Sequence, residues 1–343
     1  MIIGVIGCGG IAQAWYGPCL RRMKRRFHLS FAACCDIDPN RRERFADEFG
    51  FAHCYADYRD MLAKERLQAV YVLLPPEHAC KAALAVMGSG AACLMEKPPG
   101  LDRSQIDQLI AGAATHRTPH QVAFNRRFTP ALRELKRRLE EAGGAQCLRY
   151  EMCRHNRKDT DFTITAIHGI DALRFLLGDD DLGTLDFGYR EMAEGCPLYH
   201  LQGRSRTGTL LQAAFLPLAG YDRERVVAHT ENRSWIVDLP ENSFGPGAAG
   251  RWREYRDGQM IDSYVTGAKR TIADTLVQCG IEGLNEDFLN ALAENRTPSL
   301  GFRQTRLSVL VMEAMRKRAP RLEAGFERAD KASPATMKSD EEL

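Results

Sequence analysis

The chain has 343 residues, more than one ordinary hydrophobic core accommodates and a comfortable length for two domains. Hydrophobic residues make up 44% and charged residues 27%, with a net charge of only +2, which excludes a broad cationic field for nucleic acid or an anionic membrane. Eleven cysteines are scattered without a C-x-x-C pair, so buried thiols in a reducing cytoplasm are expected, and neither a disulfide framework nor a metal site is expected.

The opening "MIIGVI" is a short apolar run that leads straight into glycines. It lacks the cleavage pattern of a leader, and no later run approaches the ~18 apolar residues of a membrane span. Through residue 124, short apolar runs alternate with helical patterns. Strands are expected at 2–6, 29–35, 69–74, 91–95 and 121–124. Helices are expected at 11–23, 39–49, 58–64, 77–88 and 103–115. Continuous apolar strands alternating with helices predict an α/β domain with a doubly wound parallel sheet. The basic run "RRMKRR" at 21–26 reads as a solvated helix end that complements the helix dipole.

Between the first strand and helix stands Gly7-Cys8-Gly9-Gly10-Ile11-Ala12, a G-x-G-x-x-A arrangement. Gly7 permits the tight turn, Gly9 lets a pyrophosphate approach the backbone, and Ala12 lets helix and strand pack closely. The N–H groups and positive dipole at that helix start favour phosphate. Asp36 ends the second strand, where a carboxylate takes the ribose 2′-hydroxyl of NAD; the competing reading is a helix cap before Pro39. NAD is preferred, and NADP stays open because Arg41 and Arg42 follow closely. Pro75 and His78 end one later strand, and Glu96 and Lys97 end the next. Ligands of open α/β sheets bind at these carboxyl ends. Lys97 could hydrogen-bond a substrate oxygen and stabilise developing alkoxide charge, or simply pair with Glu96 at the surface.

After Phe124 the period changes. A helix at 130–142 leads into long alternating segments, among them "AQCLRYEMCRH", "LYHLQGRSR", "TLLQAAFL" and "RVVAHT". Period-two runs separated by turns predict a large, mostly antiparallel open sheet. One helix at 163–177 interrupts them and stops at Gly178. Two more helices, near 284–294 and 304–318, precede a charged tail at 329–343 that is expected to fray. The expected organisation is a nucleotide-binding domain at 1–124 and a substrate-binding and oligomerisation domain at 125–328.

These residues together resemble the Gfo/Idh/MocA family of oxidoreductases. The resemblance is carried by the glycine turn, Asp36, Pro75-Pro76-Glu77-His78, Glu96-Lys97-Pro98, Asn125-Arg126-Arg127-Phe128 and His168-Gly169-Ile170-Asp171. It continues through "GLNEDFLNALAENRTPSLGFRQTRLSVLVMEAM". It implies a Rossmann domain followed by an α/β domain whose open sheet forms homodimers or homotetramers. It also implies hydride transfer between a nicotinamide and a hydroxyl-bearing carbon of a sugar, cyclitol or similar polyol. Lys97 matches the position that contacts the reacting hydroxyl. On the resemblance, Gly7, Gly9, Gly10, Ile11, Ala12, Asp36, Pro75, His78, Glu96, Lys97 and Asn125 are the expected cofactor contacts.

Family members of the sugar-dehydrogenase type carry D-x-x-x-H on the helix at 163–177. This chain has Ile164 at the acid's position, one turn before His168. Lys97 and His168 remain the expected catalytic pair, with Lys97 holding the hydroxyl and His168 accepting its proton. Arg126, His155, Asn156, Arg157, Asp161 and Thr165 are the expected substrate contacts. The cations of "CRHNRKDTDF" make an acidic substrate conceivable: a uronate, aldonate or sugar phosphate. Two alternatives stay open: a non-catalytic regulator that responds to NAD and sugar, and a glycosidase that cleaves its bond through transient oxidation.

Overall fold

A computed structural model of the chain describes residues 1–159, 161–178, 182–192, 195–240, 249–266 and 271–324. The expected tail at 329–343 lies outside the described residues. The first sheet contains β1 (Ile2–Ile6), β2 (Ser30–Cys35), β3 (His53–Tyr55), β4 (Ala69–Val72), β5 (Ala92–Met95) and β6 (His120–Val122). All pairs are parallel, in the order β3-β2-β1-β4-β5-β6, the doubly wound Rossmann arrangement. Its central strands are buried on both faces, as their unbroken apolar runs require.

The connecting helices are α1 (Gly17–Met23), α2 (Pro39–Phe49), α3 (Tyr58–Lys64), α4 (Pro76–Gly88) and α5 (Arg103–His116). The expected helix at 11–23 is not uniform. Residues Ala12–Tyr16 form a widened π turn, with the Gly17 N–H donating to the Ala12 carbonyl. Such turns concentrate at functional sites, and this one faces the cleft described below. α2 starts cleanly because the Asp38 side chain accepts from the Asn40 N–H, and it stops at left-handed Gly50.

The second sheet has nine strands: β7 (Cys147–His155), β8 (Gly183–Arg190), β9 (Leu198–Arg204), β10 (Leu210–Ala219), β11 (Arg223–Thr230), β12 (Arg233–Asp238), β13 (Gly250–Arg256), β14 (Gln259–Thr266) and β15 (Arg321–Ala324). Their order is β14-β13-β12-β11-β7-β10-β9-β8-β15. Neighbours are antiparallel except β7 and β10, which run parallel. Burial alternates along β10, β11 and β12, so one face is packed and the other half-exposed.

Among the described residues five further α-helices follow: α6 (Pro130–Glu141), α7 (Thr163–Leu177), α8 (Ile272–Gln278), α9 (Ile281–Ala293) and α10 (Phe302–Arg316). α7 lies directly on the packed face of the sheet. A Cβ on its Gly169 would come within 2.6 Å of Tyr150 and 2.7 Å of Phe215, so only glycine allows this approach. α9 crosses back to the first sheet, where Leu284, Phe288 and Leu289 join Tyr16, Tyr71 and Leu94 in one buried cluster. The basic run at 21–26 partly docks there too: Arg22 pairs with Glu282 at 3.0 Å, and Arg26 pairs with Glu286. Among the described residues no helix is long and apolar enough to cross a membrane, and no group of three or more His, Cys, Asp or Glu could hold a metal ion.

Candidate active site

The glycine turn leaves β1 at its carboxyl end. Gly7 has φ +96°, and a Cβ there would lie 2.5 Å from the Leu73 carbonyl oxygen, so the turn requires glycine on both counts. Gly9 and Gly10 differ: a Cβ on either meets nothing within 4 Å. The space above them is open, as a backbone that receives a pyrophosphate needs. Asp36 is tied to this turn, because Cys8 N–H donates to its Oδ2 at 2.8 Å and Asp38 N–H to its Oδ1 at 3.0 Å. The helix cap is Asp38 rather than Asp36, which separates the two readings of that carboxylate. The residues present therefore fit a dinucleotide.

The Gly9→Ala variant is accordingly expected to melt within about 1 °C of the parent, since surface-type changes without new contacts shift stability little. Its NAD affinity should fall sharply in a calorimetric titration. Gly7→Ala should lose both.

Arg41 and Arg42 are occupied by the protein. Arg41 pairs with Asp38 at 3.3 Å, and Arg42 donates to the Asp36 and Ile37 carbonyls at 3.3 and 3.4 Å. Pro75 precedes α4 and its carbonyl accepts from the His78 N–H at 3.0 Å; His78 itself is exposed at the carboxyl end of β4.

A cavity of about 310 Å³ opens between the π turn and α7. The first 124 residues supply Ile11, Trp15, Glu96 and Lys97, and the rest of the chain supplies Asn125, Arg126, Arg154, Arg157, Thr165, His168 and Ile281. Its floor is the carboxyl end of β5, the edge where open α/β sheets bind ligands. A larger cavity of about 920 Å³ lies between α5 and α10, lined by residues such as Asp107 and Glu313, away from the strand ends.

Lys97 sits on the floor of the smaller cavity. Its Nζ donates to the Ile164 carbonyl at 3.2 Å, at the first turn of α7. Burial pushes the ammonium down to about 8; Glu96 opposes that shift, and Arg126 and Arg157 reinforce it. Glu96 is held by the Tyr16 hydroxyl at 2.6 Å and the Lys97 N–H at 3.0 Å. Its carboxyl is raised by burial, against the pull of Lys97 and Tyr16.

His168 lies one turn beyond Ile164, 7% exposed, with its ring edge-on to Phe124 at 6.2 Å between centroids. Nδ1 is buried without a hydrogen-bond partner, which leaves Nε2 to meet a ligand. Burial, then Arg126, Lys97 and Arg154, hold the ring well below its ordinary pKa, so it is neutral at pH 7.

Arg126 is clamped by Glu224 at 2.6 and 3.1 Å, and Arg154 pairs with the same carboxylate. The Tyr150 hydroxyl donates to it as well, at 2.5 Å. Burial raises the Glu224 carboxyl, but the two arginines outweigh burial and hold it well below the carboxylate range. Asn125 is fixed on both sides, with its Nδ2 donating to the Cys279 carbonyl at 2.7 Å and its Oδ1 accepting from Arg126 at 3.0 Å. Arg157 reaches the cavity from the β7–α7 connector, pairing with Asp159 and lying 3.5 Å from the Thr165 hydroxyl.

Of the expected substrate contacts, the structure gathers Arg126, Arg157 and Thr165 and leaves three elsewhere. Asp161 precedes α7, accepting from the Thr163 N–H at 3.0 Å, and faces Arg316 at 3.8 Å. His155 leans on the β10–β11 turn, its Nδ1 3.3 Å from the Ala219 carbonyl oxygen. Asn156 occupies an exposed left-handed turn with φ +52°. Tyr221 and Arg223 stack on each other, 4.9 Å from guanidinium to ring. Trp15, Ile281 and the supporting Tyr16 and Glu224 were not expected in these roles, while Arg154 is one of the connector cations expected to favour an acidic substrate. Trp15 was within reach of inspection, because Ile11 and Trp15 are four apart on one helix face.

The first 124 residues match the family model described as an oxidoreductase family with an NAD-binding Rossmann fold. An inositol 2-dehydrogenase of Burkholderia ambifaria is 32% identical over 191 residues, 52% of this chain and 55% of that protein. The chain thus spans about half the length of that relative, as of several other inositol 2-dehydrogenases it matches. A myo-inositol dehydrogenase of Streptomyces leeuwenhoekii is 28% identical over 283 residues, 75% of this chain and 83% of that protein. A Gfo/Idh/MocA family oxidoreductase from Vibrio cholerae shares the fold, with TM-score 0.77, 23% identity and coverage of 93% and 97% of the two chains. So does a levoglucosan dehydrogenase in complex with NADH and levoglucosan, with TM-score 0.78, 16% identity and coverage of 94% and 99%.

Proposed function

The chain belongs to the Gfo/Idh/MocA family of oxidoreductases, and from that premise we propose that it is an NAD-dependent dehydrogenase acting on a carbinol carbon of a sugar-, cyclitol- or sugar-acid-like substrate. The observation that carries this reading is the single cavity in which Lys97 and His168 meet beside the glycine turn. The relatives' names, inositol and levoglucosan dehydrogenases, support the substrate class. We place the boundary between the cofactor and substrate halves at residues 124 and 125, and assembly on the half-exposed face of the nine-stranded sheet.

When bound, the nicotinamide ring supplies the hydride acceptor. The chain's own residues orient the alcohol and move its proton. Lys97, titrating near 8, is the better-matched base, whereas His168 is too acidic as an imidazolium to hold a proton at neutral pH. Lys97 Nζ therefore takes the hydroxyl proton, and neutral His168 fixes the oxygen by a hydrogen bond from the opposite side. The helix-bound carbonyl of Ile164 keeps Nζ in place through the step.

The pH profile follows from the sign of that shift. Alcohol oxidation needs unprotonated Lys97, so kcat/KM should rise with pH and level off above about 8. The reverse reduction should fall over the same range. NAD should outperform NADP, since Asp36 repels a 2′-phosphate and Arg41 and Arg42 are already engaged. Reduced-nicotinamide absorbance over a polyol and sugar-acid panel tests both statements. Ile164 in place of an acid favours a second reading, a regulator that binds NAD without turnover. Tight NAD binding with no absorbance change for any compound would establish it.

A further inference from the structure

The active-site cavity carries more positive charge than its own carboxylates offset. Four cations line it: Lys97, Arg126, Arg154 and Arg157. Among the described residues three carboxylates answer them: Glu96 beside Lys97, Glu224 between Arg126 and Arg154, and Asp159 on Arg157. One positive charge remains while Lys97 is protonated, as it is below about pH 8. The sharing is also uneven. Glu224 serves two guanidiniums and a tyrosine hydroxyl, while Arg157 uses a single oxygen of Asp159 for both of its bonds. Burial lowers both Lys97 and His168, and Arg126 adds to each shift.

Position 164 lies in the first turn of α7, one turn before His168, and supplies no carboxylate that could bring the count to zero. Isoleucine stands there, its side chain packed against the core, and only its carbonyl reaches Lys97. A carbonyl dipole orients an ammonium without cancelling its charge.

We propose that the missing negative charge is delivered by the substrate: the cavity selects a polyol bearing an oxyanion, a carboxylate or a phosphate ester, received by Arg154 and Arg157. This deepens the dehydrogenase reading and rests on it for the identity of the reacting carbon. Arg154 is suited to the role because it lines the cavity from the end of β7, where Glu224 and the Cys153 carbonyl hold its guanidinium in place. Arg157 follows two residues past that strand and is partly open, with 44% side-chain exposure, so an incoming oxyanion can reach it. Guanidinium–oxyanion pairs are short, directional and strong where water is excluded. A neutral polyol leaves the surplus in place and forgoes those bonds.

The test uses the NAD-loaded full chain and three series of hexoses and cyclitols: neutral, carboxylate with its methyl ester, and monophosphate. Binding is read from the fluorescence of Trp15, which lines the cavity, and turnover from reduced nicotinamide. An anionic member should bind and turn over at least about tenfold better than its neutral counterpart. Its methyl ester should lose that advantage, and the carboxylate and phosphate arms identify which oxyanion the site takes. Arg157→Gln should erase the preference chiefly through KM, and Arg154→Gln should do the same if it folds. Ile164→Asp should swing selectivity toward neutral polyols. Equal or better binding of neutral compounds, or an anion preference untouched in Arg157→Gln, overturns the proposal. Absence of turnover with every compound, with anion-selective binding intact, would instead overturn the dehydrogenase reading and leave the anion site standing.

Discussion

The Lys97→Met variant is expected to lose about 10²–10⁴-fold in turnover, the usual contribution of a positioned acid–base group, while its NAD affinity stays within about twofold of the parent. Methionine keeps the apolar stem against the cavity floor and removes only the titrating nitrogen. The Ile164 carbonyl that Nζ now satisfies lies at the start of α7, where water can replace the lost donor. Lys97→Arg sharpens the experiment. Arginine keeps the positive charge but does not release its proton in any usable pH range. If Lys97 acts as a base, both variants fail together and the rise in oxidation toward pH 8 disappears. If it acts only as a fixed charge, Lys97→Arg retains most activity. Full turnover in Lys97→Met would remove Lys97 from the chemistry.

Asp171 governs a second large effect, on stability. It is fully buried on α7 and accepts from Arg127 Nε at 2.6 Å and Nη2 at 2.7 Å. The Ser308 hydroxyl reaches it at 3.3 Å and the Arg174 guanidinium lies at 3.8 Å. Asp171→Ala would leave two buried guanidiniums without this carboxylate, a loss of about 3–5 kcal/mol for breaking a buried ion pair from one side. Thermal unfolding should drop by roughly 4–7 °C for a chain of this size. Asp171→Asn keeps an acceptor and should fall less. An unchanged melting temperature in Asp171→Ala would mean that this cluster contributes little. Arg127 directly follows Asn125 and Arg126, so the same ion pair braces the hinge on which both cavity residues sit.

The parts of the molecule legible in the sequence were those with a local signal. The helix at Thr163–Leu177 was readable to the residue because Gly178 stops it in the left-handed region. The strands of the first sheet differ from expectation by one or two residues at their ends. β3 was missed, since His53–Tyr55 is three residues long and carries no apolar run. β13 and β14 were missed because they lie at the sheet margin: "GRWREYR" carries charge between its buried residues, and 259–265 of "QMIDSYVT" has no buried residue. α8 and β15 were also passed over, one short and one at the opposite margin. In the site, Lys97, His168, Arg126, Arg157 and Thr165 were readable from motif and loop. The links that hold them were not. Tyr16 meets Glu96 across 80 positions, and Arg126 meets Glu224 across 98. No periodicity encodes such pairs; only the closed topology brings them together.

The return of α9 to the first sheet carries a consequence for biosynthesis. Phe288 stands edge-on to Tyr71 at 5.8 Å, Gln121 bonds to the Leu284 carbonyl at 3.2 Å, and Val122 N–H bonds to the Leu300 carbonyl at 2.9 Å. The nucleotide-binding half, although translated first, stays unroofed until these late segments leave the ribosome. Fragments ending before residue 281 should therefore collect in inclusion bodies, and any graft of this half onto another enzyme must bring α9 along as its lid.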